Sequence, residues 1–573
     1  MTVRRMMGTE TEYAVSDSRQ VHYNPVQLSF DVVGGAADSS TSHIRWDYRQ
    51  EDPLNDARGT RLPRAAARAD MLTDDPQRQI VNVIAPNGGR IYVDHAHPEY
   101  SAPETMDPFQ AMKYEQAGDR LMLQATRKVN DHTGSNIVIH RNNVDGKGAS
   151  WGSHENYMML RSVPFDKVAA LMTLHFVSRQ IFTGSGRVGI GEKSEETGYQ
   201  LSQRVDYIRS VVGLQTTFDR PIVNVRDESH ATGQYRRLHV IVGDANRMDV
   251  PSALKLGTTS ILLWLSEQVY ASDGSNEMVD LDGLLADLQL VDPVEAMHTV
   301  SHDLTLAQPL PLEHGGTTTA WQIQVRLLSA VAAQGAATYG TDSRGEPLWP
   351  DEATGSTVMM WRQALADVAA VRHADADDRL VMQQEGSRLE WLLKWQLLER
   401  LRRKSGESWS SAKVAALDLS WADVDPARSV FSRVLTQTER ISIDSSNDAD
   451  VEIQRSASNP PEETRAWLRA EIVRRFAREV VAVSWSHITV SAQGAGGGNT
   501  GGNDESDTSS GLSDSSGTHE STYLYSLDIS NCACWSKSRC EQILDDAQAN
   551  HDSAFVTLKR LQQLSQAGDD KRA

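Results

Sequence analysis

The chain has 573 residues, 39% hydrophobic and 23% charged, with ample length to bury a large core. Length alone predicts three to four domains, or one large enzyme domain plus a small one. A net charge of -20 argues against nucleic-acid binding as the main task, and no apolar run approaches the roughly 18 residues of a membrane span.

In chain order, residues 5–15 alternate with a period of two and predict a strand. Residues 34–82 are rich in Asp, Arg, Ser and Pro without a sustained period and read as a long loop. Further strands are expected at 90–94, 136–140, 156–160, 221–226 and 237–242. Asp107 and Pro108 open a helix as N-cap and first residue, followed by Phe109, Met112, Ala117, Leu121 and Ala125. A second helix runs from Pro251 through Leu254, Ile261, Leu262 and Leu265. A basic amphipathic helix over 388–404 carries Leu389, Leu392, Leu393 and Leu397 as one stripe, the pattern of a packed helix with solvated arginines. Residues 491–521 are Gly/Ser/Asn/Asp-rich and read as a disordered insertion.

Residues 1–8 lack the apolar stretch and cleavage site of a secretory signal. The three cysteines, Cys532, Cys534 and Cys540, are too few and too crowded for a disulfide framework. They also lack a fourth ligand for a zinc knuckle, so free thiols and a cytoplasmic location are expected.

Glu10 and Glu12 project from one face of the first strand, as oxygen ligands of a hard cation would, although a solvated face is the ordinary alternative. Arg90, Tyr92 and Asp94 share one face of their strand, with Ile91 and Val93 behind. Pro98 is expected to end that stretch, leaving Glu99 at a turn. His95-Ala96-His97 also matches the HxH of zinc amidohydrolases, a weak signal without further histidines. Arg237 and His239 alternate with Leu238 and Val240, and Asn224 and Arg226 repeat the design. A sheet with helices behind and a charged front suits a metal-nucleotide better than an apolar ligand. Three patterns are decoys: Gly184-Ser185-Gly186-Arg187-Val188-Gly189 has no packing helix after it, Gly146-Lys147-Gly148 lacks the rest of a P-loop, and His154-Glu155 lacks the second His of HExxH.

Taken together, Gly8-Thr9-Glu10-Thr11-Glu12-Tyr13, Tyr92-Val93-Asp94-His95-Ala96-His97-Pro98-Glu99-Tyr100, Ser153-His154-Glu155-Asn156-Tyr157, Leu201-Ser202-Gln203-Arg204, Asn224-Val225-Arg226-Asp227-Glu228 and Tyr235-Arg236-Arg237-Leu238-His239 resemble the Pup ligase and depupylase family. The resemblance runs in order to about Trp485. It implies an α+β fold like glutamine synthetase and other carboxylate-amine ligases. A large domain over 1–425 would carry a curved antiparallel sheet backed by helices, and a small C-terminal domain would cover 426–573.

The loop carrying Arg45-Trp46-Asp47-Tyr48 and Asp52-Pro53-Leu54-Asn55-Asp56-Ala57-Arg58-Gly59 is similar to one found in the depupylase branch. That branch deamidates the C-terminal Gln of Pup and cleaves its isopeptide bond to lysine. The alternatives are the ligase branch and a non-catalytic Pup-binding protein. The family further implies Asp94 as the catalytic aspartate, and Mg²⁺ on Glu10, Tyr92 and Glu99, with Glu12 and His239 completing the shell. It implies ATP against Arg90, Ala102 and Trp485, with Arg204 and Arg226 near the reacting group. Implied partners are Pup and pupylated proteins, with a link to the bacterial proteasome.

Overall fold

The computed structural model describes residues 3–67, 82–271, 279–435, 449–492 and 523–569. In chain order its principal strands are β1 (Met7–Glu12), β2 (Arg45–Trp46), β3 (Asn82–Ile84), β4 (Arg90–Asp94), β5 (His97–Ser101), β6 (Ser153–Leu160) and β7 (Tyr235–Val240). All but β2 join one antiparallel sheet in the order β7-β6-β1-β5-β4-β3.

Period-two alternation gives this sheet two unlike faces. Ile91, Tyr100, Tyr157, Met159 and Leu238 are buried on the back. That back is covered by α1 (Pro108–Thr133) and α3 (Asp249–Tyr270), with α2 (Phe165–Thr183) packed against α3. Asp107 caps α1 as expected, its carboxylate accepting from the Phe109 and Gln110 backbone N–H groups at 3.0 and 2.9 Å. At Gly118 the helix comes so close to the sheet that an added Cβ would lie 2.1 Å from the Tyr100 ring.

Three expectations need correction. Pro98 does not end a strand, because the chain reverses earlier. His95 and Ala96 form a two-residue hairpin turn, His95 adopts the left-handed φ of 53° that such turns demand, and Pro98 pairs with Val93 inside β5. Residues 220–224 carry a strand, but it pairs in parallel with residues 208–213 and stays outside the main sheet. The described part of 34–82 is not bare loop. It holds β2 and a short hairpin pairing Asn55 with Arg61, and it buries Trp46 and Leu54. These elements are two residues long and owe their shape to distant partners, so they leave no period to detect. Residues 68–81 of that stretch, and 493–521 of the Gly/Ser-rich insertion, lie outside the described residues.

A second sheet, in the order β10-β9-β8-β2, consists of β8 (Val480–Val483), β9 (His487–Ala492) and β10 (Tyr523–Asp528) with β2 paired parallel to β8. Its core gathers α4 (Arg465–Phe476), α5 (Lys537–Ala549) and α6 (Ala554–Asp569), and Ile44, Trp46 and Ile84 join it. Two arginines of α4 fasten it to the first sheet. Arg465 and Arg469 donate to Glu104 at 2.7 and 2.6 Å, and Arg469 also donates to the Gly88 carbonyl at 2.8 Å. Cys532, Cys534 and Cys540 are buried free thiols, and burial pushes the Cys540 thiol up to about 12. Among the described residues, no helix is long and apolar enough to cross a membrane.

Candidate active site

The front of the main sheet collects the charged side chains that alternation assigns to it. Strand register sets Glu10 opposite His154 and Ser101, Glu12 opposite Glu99, Tyr92 opposite Glu99, and Asn156 opposite His239. Two groups of metal-ligating side chains result, Glu10–His154–His239 and Glu12–Asp94–Glu99. Within each, the ligand atoms lie within 4.8 Å of one another.

In the second group three carboxyls crowd together. Burial first, then the charges of Asp94, Glu12 and Glu10, push the Glu99 carboxyl well above the usual carboxylate range. Asp94 moves the other way. Burial acts to raise it, but the hydrogen bond and charge of His95, with the charges of His154 and Arg226, outweigh burial and lower it. Its side chain is 40% exposed at the sheet margin, with His95 Nδ1 3.1 Å from Oδ1. The group therefore joins an ionised, accessible carboxylate to a buried acid crowded by like charges. An all-oxygen set of this kind fits a hard divalent cation.

In the first group, burial would raise the Glu10 carboxyl, but the hydrogen bond from His154 and the charge of Arg237 bring it below its ordinary value. His154 Nδ1 lies 3.2 Å from Glu10 Oε2, and its buried Nε2 has no hydrogen-bond partner among the described residues. Gly152 makes room for this ring, since a Cβ there would stand 2.2 Å from Nε2. Burial and the Arg237 charge lower His239 well below the ordinary histidine value, so its imidazole is neutral. An unpartnered buried ring nitrogen beside a carboxylate also fits a cation ligand.

Arg90 lies over two aromatic rings. Its guanidinium lies 4.2 Å from the Trp46 ring centre and 3.9 Å from that of Tyr92, while Nε donates to Asn82 at 2.7 Å and Nη2 to the Tyr48 hydroxyl at 2.9 Å. Burial with the Glu99 and Glu10 charges raises the Tyr92 hydroxyl well above the ordinary value, so it stays a neutral phenol. An open cleft of about 590 Å³ adjoins Glu10 and is lined by Ala102, Glu104, Asn156, His230, Arg237 and Trp485, among others. The Trp485 indole is braced by Trp46 at 5.0 Å and by the Arg469 guanidinium at 4.8 Å. Aromatic and apolar walls beside charged groups suit a nucleotide.

A profile of the Pup-ligase protein family matches residues 5–489. The chain belongs to the Pup ligase family. Among Pup ligase family relatives, a protein of Acidothermus cellulolyticus named depupylase is 38% identical over 493 residues, 85% of this chain and 91% of that protein. A Pup deamidase/depupylase of Mycolicibacterium smegmatis is 39% identical over 492 residues, with the same shares. A Pup–protein ligase of Nocardioides sp. is 32% identical over 423 residues, 72% of this chain and 85% of that protein. The fold is α+β and shared with a crystal structure of the complex between Pup and its ligase PafA. That chain gives a TM-score of 0.69 at 24% identity, covering 98% of this chain and 95% of its own. The Pup ligase PafA in complex with ADP gives 0.63 at 25% identity, covering 82% and 91%.

At this charged front, the two remaining arginines expected from the sequence differ. Arg226 belongs to the segment 224–228, which is fastened to 55–57 by backbone hydrogen bonds, and its charge reaches Asp94 and His239. Arg204 is 1% exposed and donates Nε to the Ile241 carbonyl at 2.7 Å and Nη1 to the Trp151 carbonyl, so those two groups brace backbone. His95 and His97 do not combine in a ligand group among the described residues, contrary to the zinc amidohydrolase alternative. Sequence reasoning passed over His154, Asn156 and Arg237 as site residues. Extending the expected strand at 156–160 back by two residues would have placed His154 on the same face as Asn156, and the 237/239 alternation already paired Arg237 with His239.

Proposed function

We propose that the chain hydrolyses the side-chain amide of a C-terminal glutamine on Pup. We also assign to it cleavage of the isopeptide bond joining the C-terminal glutamate of Pup to a lysine of a pupylated protein. The observation that carries this reading is Asp94, an ionised and accessible carboxylate at the edge of a buried acidic group, beside a cleft with a braced indole. The depupylase names of the relatives at 38–39% identity support the choice of substrate. Glu10, Glu12, Glu99, His154 and His239 would hold Mg²⁺, and Ala102, Trp485 and Arg90 would position ATP. Bound there, the cation would offset the crowded carboxylate charge and withdraw electrons from the reacting carbonyl.

A lowered pKa makes Asp94 a poor proton acceptor and keeps it charged, which suits it as a nucleophile. An Asp94 oxygen adds to the γ-carbonyl carbon, and the C–N bond breaks as the nitrogen leaves with a proton drawn from water. Ammonia or the lysine amine departs, leaving an acyl anhydride on Asp94. The hydroxide left by that water then adds to the anhydride, releasing the γ-carboxylate and a proton and restoring Asp94. Arg226, whose charge reaches this carboxylate, stabilises the oxyanion formed at each addition.

The test is intact-mass analysis of Pup ending in Gln, incubated with the protein, Mg²⁺ and ATP. The expected result is the mass change of NH₂ replaced by OH, slowed about 10⁴-fold or more in Asp94→Asn. Lack of conversion, with Pup ending in Glu instead becoming linked to a target lysine, would assign the ligase reaction. Silence in both assays would defeat the catalytic reading.

A further inference from the structure

The hydrogen-bond directions around Asn156 are forced by its neighbours. Asn156 sits on β6 between β1 and β7, opposite Gly8 on one side and His239 on the other. Its carboxamide touches three groups. Nδ2 lies 3.0 Å from Glu10 Oε1, while Oδ1 lies 2.9 Å from His239 Nδ1 and 3.3 Å from Arg237 Nη1. Arg237 decides which way round the amide lies. A guanidinium only donates, so the group facing Arg237 must be the carbonyl oxygen. Arg237 thus sets the amide orientation without reference to the histidine, and turns the NH₂ toward Glu10. The ring nitrogen facing that carbonyl then has to carry the proton. His239 therefore directs Nδ1–H toward Asn156, and Nε2 is the ring nitrogen left to take a cation.

We infer that Asn156 is a positioning residue for the cation-binding end of the site. Its carboxamide holds the Glu10 carboxylate in place and fixes His239 as the Nδ1–H tautomer, presenting Nε2 as a ligand for a divalent cation. Asn156 lies behind two members of the Glu10–His154–His239 group and is not counted among its ligands. Partners of this kind, which orient a histidine through its second ring nitrogen, contribute strongly to metal affinity. The inference rests on the proposed cation-dependent reading of this face.

Two readouts test it on the full chain, neither requiring turnover. The first is the tautomer of His239 in metal-free protein labelled with ¹⁵N-histidine, assigned by difference against His239→Gln. Wild type is expected to carry its proton on Nδ1. Asn156→Asp, which still accepts from that nitrogen, is expected to keep it there, and Asn156→Ala to release the preference. The second is Mn²⁺ binding followed by electron paramagnetic resonance, which Asn156→Ala is expected to weaken about 10- to 100-fold.

A wild-type His239 protonated on Nε2 would overturn the inference. So would Mn²⁺ affinity unchanged in Asn156→Ala while wild type binds the ion. A wild type that binds no Mn²⁺ would instead overturn the cation-dependent reading itself. Because the tautomer is read from wild type and the near-isosteric Asn156→Asp, that arm stands even if the alanine variant fails to fold.

Discussion

Replacing Glu104 by Gln tests how firmly the second sheet is fastened to the first. Glu104 receives Arg465 at 2.7 Å and Arg469 at 2.6 Å, and those arginines are 3% and 0% exposed. Glutamine keeps the volume but removes the charge, taking from two buried guanidinium groups the carboxylate they share. Breaking a buried pair by removing one partner costs about 3–5 kcal/mol.

The carboxyl pKa gives an independent figure. Burial would raise it, but the charges of Arg469 and Arg465 and their hydrogen bonds hold Glu104 at about 2 against an ordinary 4.5. At about 1.4 kcal/mol per pH unit, that difference corresponds to about 3–4 kcal/mol. The sign follows from the depressed value. The stabilisation is present above pH 4.5 and is lost as pH falls from there toward 2. Urea unfolding of wild type and Glu104→Gln across this range should therefore give a gap of about 3–4 kcal/mol at pH 7 that closes in acid. A gap under about 1 kcal/mol at pH 7, the scale of exposed pairs, would refute the argument. So would a gap that persists undiminished at low pH.

Arg90→Lys preserves charge but loses the planar guanidinium between Trp46 and Tyr92 and the fork that reaches Asn82 and Tyr48. It is expected to weaken ATP binding about tenfold, a loss of about 1.4 kcal/mol, and to speed protease cleavage within residues 45–61, as read by calorimetry and limited proteolysis. Gly118→Ala drives a methyl to 2.1 Å from the Tyr100 ring, so thermal unfolding should report a loss of about 1–3 kcal/mol with cation binding unaffected.

The front of the main sheet was legible because strand alternation is a local property. Arg90, Tyr92 and Asp94 share a face for that reason alone, and so do Glu10 and Glu12. The Asp107-Pro108 helix start was legible because side-chain capping acts over three residues. The turn before Pro98 was misplaced because it uses His95 in a left-handed conformation, where Gly, Asn or Asp would have signalled a hairpin. His154 looked like a failed HExxH because its partner is not four residues on. It is Glu10, across a strand register that no local pattern encodes. Residues 45–46 gave no strand signal because two residues define no period and the strand they join lies at 480–483.

That pairing also sets an order of events during synthesis. The strands of the charged front are all made by residue 240, so the carboxylate face can form while more than half of the chain is still unmade. The cleft beside it cannot, since Arg465 and Trp485 form part of its wall. Until the ribosome passes that point, Trp46 has neither its neighbouring strand nor Trp485 to pack against, and Arg90 has a brace that is itself unanchored. Closing a contact across more than 430 residues is slow compared with local folding. The nascent chain therefore carries its acidic face well before it can enclose a nucleotide, and the ability to bind one arrives late, as a single step.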